Sequence, residues 1–231
     1  MLTPRIKFVN FQIAKNKKIK ISSNFFKIKN LISKYKFLIS LTSFYKYGYS
    51  KKLVKNLKKN SVFRIIGMGG STLGAETIYQ FLRNYTNKEF IFINNLKPNL
   101  TKYEKNTKAI NLIISKSGNT LETISNSNSL FKKNINIFIT EKKNSYLFNL
   151  ANNLKSEIIE HKNYIGGRYS VLSEVGMLPA ELMGFKEKKF KKLNYLVKNK
   201  SFLISLINNV SSILTFIKQG KFNSIILNYD E

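Results

Sequence analysis

The chain has 231 residues, 43% of them hydrophobic and 13% aromatic, with no cysteine, no tryptophan, one histidine, and 40 Lys+Arg against 12 Asp+Glu for a formal charge of +28. Such a length and apolar fraction suit a folded chain of one domain, or one domain and part of a second, and argue against wholesale disorder. The lack of cysteine excludes a disulfide scaffold, a zinc knuckle, an iron–sulfur site and a thiol nucleophile, and a lone His161 argues against a multi-histidine metal site.

A basic surface attracts polyphosphates with a steep salt dependence. Only Arg5, Arg64, Arg83 and Arg168 among the basic residues are arginine, whereas readers of nucleic acid lean on arginine for bidentate contacts. The surplus of Lys, Asn, Ile and Phe resembles the codon output of an AT-rich genome, so no specific nucleic-acid partner is expected.

Residues Met1 to Lys20 carry dispersed lysines and no long apolar core before a cleavage site, which does not read as a secretory signal and leads to the expectation of a cytoplasmic chain. Residues 1–55 lack clean alternation and are expected to form a helical arm. From Ser61 the pattern changes. Val62 to Ile66 is a β-branched run ending at Gly67, and Leu73 to Tyr85 has helical spacing through Ile78, Phe81 and Leu82. The unit recurs. Phe90 to Ile93, Ile110 to Ser115, Ile135 to Thr140 and Ser156 to Glu160 read as strands, with helices over Thr120 to Phe131 and Ser145 to Leu154. Short apolar strands separated by crossover helices predict an α/β fold over residues 56–165, a doubly wound parallel sheet buried on both faces.

Residues 166–231 read as consecutive helices through 168–220, punctuated by Pro179 and Gly184, followed by a strand from Ser224 to Tyr229 that opens a second domain and has nothing after it to pair with. The apolar stretch Ser201 to Ile217 falls short of the ~20 residues that span a bilayer and contains Asn208 and Asn209, so it reads as a buried helix and no membrane is expected.

Three strand-to-helix loops could carry chemistry. In Gly67-Met68-Gly69-Gly70-Ser71-Thr72-Leu73-Gly74 the glycines allow close approach of backbone to an anion, the following helix offers free N–H groups, and Ser71 adds a hydroxyl. A ligand-free tight turn is the competing reading of the same residues. A P-loop is excluded by the missing Gly-Lys-Ser/Thr ending, and a dinucleotide site would want glycine where Thr72 stands and an acid where Asn94 and Asn95 stand. Ser115-Lys116-Ser117-Gly118-Asn119-Thr120 packs three hydroxyls and an ammonium against a helix start, which suits a phosphate monoester, although Ser and Thr also serve there as ordinary caps and Glu122 as a first-turn acid. Gly166-Gly167-Arg168-Tyr169-Ser170 presents a guanidinium behind paired glycines, able to reach an oxyanion or a sugar hydroxyl, or to rest as a surface arginine.

In order and spacing these segments, extended to Leu121-Glu122-Thr123 and to Val171-Leu172-Ser173-Glu174-Val175-Gly176-Met177-Leu178-Pro179, resemble the first half of phosphoglucose isomerases, from about Ser61 onward. The resemblance implies a Rossmann-like αβα sugar-isomerase fold. It also implies interconversion of glucose 6-phosphate and fructose 6-phosphate through an enediol, with a hexose 6-phosphate as substrate, no cofactor or metal, and a homodimer in the full-length form. Carried over residue by residue, Gly70, Ser71, Ser115, Lys116, Ser117 and Thr120 look like the phosphate cradle, Gly167 and Arg168 like the pair at the sugar, and Glu122 like the acid that orients a catalytic histidine.

Family members take the C2 proton with the glutamate of a Gln-x-x-x-Glu motif, which this chain lacks, since Gln12, Gln80 and Gln219 are followed four positions on by Asn16, Asn84 and Asn223. His161 precedes the Gly-Gly-Arg loop, does not match the ring-opening histidine, and reads as a strand-end or surface residue. A chain that binds better than it turns over is therefore expected, as a fragment of a longer product, one half of a split enzyme or a decayed copy, with a non-catalytic sugar-phosphate-binding module as the alternative.

Overall fold

The computed structural model describes residues 34–96, 99, 101, 104, 108–131, 135–191 and 200–223, together with Asn30. Two compact units emerge, residues 32–191 and residues 1–31 with 192–231. The first opens with a 3₁₀ turn at Lys36–Leu41 and helix α1 (Lys51–Leu57), whose N-cap Ser50 accepts from the Leu53 N–H. There follow β1 (Val62–Ile66), α2 (Leu73–Leu82), β2 (Glu89–Ile93), β3 (Ile110–Ile114), α3 (Leu121–Asn128), β4 (Asn136–Thr140), α4 (Tyr146–Asn153), β5 (Glu157–Glu160), α5 (Glu174–Leu182) and α6 (Glu187–Phe190). The second unit contributes α7 (Lys200–Lys218).

The sheet is wholly parallel in the order β2-β1-β3-β4-β5. Side chains alternate between its faces, and the apolar set divides accordingly. Phe63, Ile65, Ile110, Leu112, Ile114, Ile137 and Ile139 pack with Val54 and Leu57 of α1, Ala75 and Ile78 of α2, and Val175, Leu178 and Leu182 of α5. Ile66, Ile91, Ile93, Ile113 and Phe138 pack on the other face with Leu147 and Ala151 of α4 and Ile124 of α3. Parallel crossovers are right-handed, and the chain steps one way from β1 to β2 and the other way from β3 to β5, so the helices must fall on opposite faces. The doubly wound α/β expectation holds, with three layers.

Several features depart from the sequence reading. Pro179 does not punctuate. It lies inside α5, where every residue except Glu181 is buried, and tertiary packing carries the helix past the missing N–H. Gly184, with φ of 103°, does end that stretch. Of the segment expected as an N-terminal helical arm, the described residues include helical positions at Asn30 and Lys34, the 3₁₀ turn and α1, and most of the rest lies outside the described residues. Helix α7 is not buried: Leu206, Val210, Ile213 and Ile217, spaced three and four apart, are 42–47% exposed. Periodicity marks an apolar side of a helix without determining what covers it. No helix among the described residues is long and apolar enough to cross a membrane. The strand expected over Ser224 to Tyr229 lies outside the described residues.

The sheet also contains a polar ladder that alternation did not reveal. Arg64, fully buried in β1, donates through a guanidinium nitrogen to Asn111 Oδ1 on β3. The Asn111 amide donates 2.8 Å to Asn136 Oδ1 on β4 and 3.2 Å to the Leu130 carbonyl, and Asn136 donates 2.9 Å to the Phe131 carbonyl. Burial lowers the Arg64 pKa, opposed by the Glu104 carboxylate. Asn111→Ala removes an acceptor of a buried cation and a partner of Asn136 together, and should lower unfolding stability by about 2–4 kcal/mol, read as a shift of the urea midpoint without a change of slope.

Candidate functional site

The strand order places a topological switch between β1 and β3, where the chain leaves in opposite directions; the carboxyl ends of strands at such a point are where open α/β sheets bind ligands. The first two loops follow these two strands. After β1, Gly69–Ser71 forms a 3₁₀ turn leading into α2, with Gly69 at φ 53°. A Cβ at Gly67 would lie 2.7 Å from the Ile114 carbonyl oxygen, which shows how closely the ends of β1 and β3 approach.

After β3 the hydroxyls converge. Ser115 Oγ and Thr120 Oγ1 are hydrogen-bonded at 2.9 Å, and Ser117 Oγ lies 3.5 Å from Thr120 Oγ1. The Gly118 N–H donates 3.2 Å to Ser115 Oγ and the Asn119 N–H 3.2 Å to Ser117 Oγ. Thr120 occupies the N-cap of α3, yet its side chain makes no cap hydrogen bond, so its hydroxyl serves the cluster and the ordinary capping reading does not describe it. Gly118 has φ of 70°, and a Cβ there would run into the Ser145 hydroxyl, so glycine is required for the turn. Ser115 is buried, Ser117 exposed and Thr120 half-buried, which makes the cluster a rim open on one side. Glu122 sits half-buried in the first turn of α3, where the helix dipole favours an acid.

The Lys116 ammonium is engaged elsewhere, donating 2.6 Å to the Asn163 carbonyl and lying 3.7 Å from Glu141. It thereby ties the second loop to the segments that follow β4 and β5. His161 stands there, directly after the last residue of β5, with its backbone N–H paired to the Thr140 carbonyl, and it is 2% exposed, which corrects the surface reading. Its Nδ1 donates 3.3 Å to the Lys162 carbonyl. Burial pushes its pKa down, the hydrogen bond to Lys162 opposes this, Lys116 lowers it further and Glu141 raises it.

The third loop closes on the first. Gly167–Tyr169 is a 3₁₀ turn, and a Cβ at Gly70 would collide with the Gly167 backbone. The contact is backbone to backbone and forbids a side chain at Gly70, whereas a Cβ at Gly167 would meet Gly70 Cα only at 3.9 Å. Ser170 Oγ reaches both carbonyls, 3.0 Å to Gly70 and 2.7 Å to Gly167. Arg168 leaves this turn exposed. Gly70 and Ser71 therefore adjoin Gly167 and Arg168, while Ser115, Ser117 and Thr120 form a separate hydroxyl cluster across the β1–β3 switch. The chemistry available is anion binding by hydroxyls and backbone N–H groups, with a guanidinium on the neighbouring turn.

A model of the phosphoglucose isomerase family matches residues 27–225. The glucose-6-phosphate isomerase of Methanocaldococcus jannaschii is 36% identical over 191 residues, which are 72% of this chain and 45% of that protein. That of Acholeplasma laidlawii is 30% identical over 208 residues, 78% of this chain and 48% of that protein. The chain thus spans about half the length of these curated relatives. Among solved structures, a hypothetical protein of Thermus thermophilus aligns over 82% of this chain and 53% of its own with a TM-score of 0.58 and 18% identity, a likeness of fold.

Two outcomes test the site's construction. Gly70→Ala forces the first and third turns apart and should cost about 1–3 kcal/mol, whereas Gly166→Ala, whose Cβ would meet only the Tyr169 ring at 3.5 Å, should be nearly neutral in a thermal melt. The His161 pKa is lower in the folded than in the unfolded chain, so the unfolded state takes up the proton first. Its contribution is present above about pH 6.5 and is lost as pH falls through the lowered value. The melting temperature should therefore drop between pH 7.5 and 5.5, and drop less in His161→Leu.

Proposed function

The chain belongs to the phosphoglucose isomerase family, and from that membership we propose that it is the substrate-binding half of a glucose-6-phosphate isomerase, working in the cytoplasm and as a homodimer in its full form. Hydroxyls gathered at a sheet switch point carry this reading. Ser115, Ser117 and Thr120 converge beside the start of α3, and Ser71 begins the turn into α2. A phosphate dianion bound among them would accept from the hydroxyls and from backbone N–H groups at the helix starts, and Lys116 on the same loop would add positive charge on exchanging Asn163 and Glu141 for the phosphate.

With the phosphate anchored, the sugar would extend toward the turn that holds Gly167 and Arg168. Aldose and ketose interconvert when a proton leaves C2 and returns at C1, leaving negative charge on the oxygens of the intermediate enediolate. An arginine at that place stabilises the charge as it develops, so its effect is felt in the transition state more than in the bound substrate. Glu122 would orient a histidine from outside these 231 residues.

The general base has no counterpart in this sequence, which contains no Gln-x-x-x-Glu. Such a base typically contributes about 10²–10⁴-fold, so the chain by itself should bind hexose phosphate with little or no turnover. The same absence favours, as second reading, a sugar-phosphate-binding module without catalysis. Restoration of isomerase activity by a polypeptide that supplies the second half of the family's sequence separates the two.

Titration of the purified chain should show fructose 6-phosphate bound and fructose not. Ser115→Ala combined with Thr120→Ala removes two charge-assisted hydrogen bonds, at about 1.5 kcal/mol each, and should weaken fructose 6-phosphate binding roughly a hundredfold while the thermal melt changes little. Unchanged affinity would show that the phosphate binds elsewhere.

A further inference from the structure

Glu174 has no part in the reading above, yet it is a 1% exposed carboxylate four residues after Gly-Gly-Arg-Tyr-Ser. Its Oε2 accepts from the Tyr45 hydroxyl at 2.6 Å and its Oε1 from the Gly48 N–H at 2.9 Å. Nearby, the Tyr47 hydroxyl donates 3.3 Å to the Leu172 carbonyl. Farther along the same segment the Phe37 ring lies 4.7 Å from that of Tyr169, and the Lys36 ammonium sits 4.7 Å over the ring of Tyr164. Residues 36–48 therefore lie along the back of the loop that carries Arg168, fastened at both ends.

From Ser173, joined to Glu174 by the peptide bond, hydrogen bonds lead forward to the turn. Ser173 donates 2.6 Å to the Ser170 carbonyl, and Ser170 Oγ reaches the carbonyls of Gly167 and Gly70. Burying a carboxylate is costly unless its oxygens are satisfied, and an apolar side chain would fill the same space more cheaply if packing were all that was required.

We propose that Glu174 is a positioning residue: through Tyr45 and Gly48 it straps residues 36–48 across the Gly166–Ser170 turn and so fixes Gly167 and Arg168 for the sugar portion of a hexose phosphate. The strap rests on geometry alone, and its role at the sugar rests on the hexose-phosphate reading.

The test uses the whole chain with Tyr45→Phe, Glu174→Gln and Glu174→Ala. Hydrogen exchange is followed at the amides of Tyr169 and Ser170, which are bonded to the Gly166 and Gly167 carbonyls. Calorimetry gives the affinities for fructose 6-phosphate and for inorganic phosphate. Tyr45→Phe, which keeps the ring, should speed exchange at these two amides about tenfold, the loss of roughly one hydrogen bond, and Glu174→Ala, which loses those to both Tyr45 and Gly48, should speed it more. Glu174→Gln, whose amide oxygen can still accept, should speed it less. Amides within α5 should exchange as in the parent. Fructose 6-phosphate affinity should fall about tenfold and inorganic phosphate affinity less than about twofold. Parent-like exchange at Tyr169 and Ser170 in both Tyr45→Phe and Glu174→Ala would overturn the strap. Equal weakening of both ligands would overturn the role at the sugar. If the parent chain does not bind fructose 6-phosphate, the hexose-phosphate reading and the sugar role fail together, while the exchange rates still decide the strap.

Discussion

Parallel strands can be joined only by a crossover that passes over one face of the sheet, and the right-handed sense of that crossover governs where everything else in this protein lies. Because β1 leads outward to β2 on one side while β3, β4 and β5 advance on the other, α2 and the α3–α4 pair are forced onto opposite faces. The loops after β1 and β3 then diverge at neighbouring strand ends, the place where open α/β sheets bind ligands. The proposed site takes its position from this winding, and the loops' own residues would furnish it.

What furnishes it is a division of labour between backbone and hydroxyl. Where chain must approach chain, at Gly70 against Gly167 and at Gly67 against Ile114, the sequence has glycine and no side chain could replace it. Where an anion would need donors, Ser115, Ser117 and Thr120 face one another, so the hydroxyls are already gathered before any ligand arrives. The cost of bringing them together is met by folding, through β3 and α3, and does not fall on binding.

Two buried polar arrangements stand on either side of this frame. The Arg64–Asn111–Asn136 ladder ties β1, β3 and β4 together, which fixes the register of the strands that launch the first two loops. Glu174 performs a comparable service for the third loop by capturing Tyr45 and Gly48 from the chain that precedes the sheet. Both trade desolvation for specificity of pairing.

The sequence by itself determined the five strands, their separation by helices, and the three loops, since runs such as Phe90 to Ile93 and Ile110 to Ser115 are short, β-branched or aromatic, and bounded by turn residues. Local chemistry also marked the glycines and hydroxyls, because their spacing within a loop is short enough to be read directly. The partners were not legible. Tyr45 and Glu174 are 129 residues apart and Arg64 and Asn111 are 47 apart, and no periodicity links them. Nor could the pattern tell that His161 turns inward or that the apolar side of α7 stays exposed, since both depend on what the rest of the chain brings alongside. Period and propensity act over one turn or one strand, whereas burial and the pairing of polar groups are settled only when distant segments meet, and that is why the elements could be read from the sequence and their contacts only from the tertiary structure.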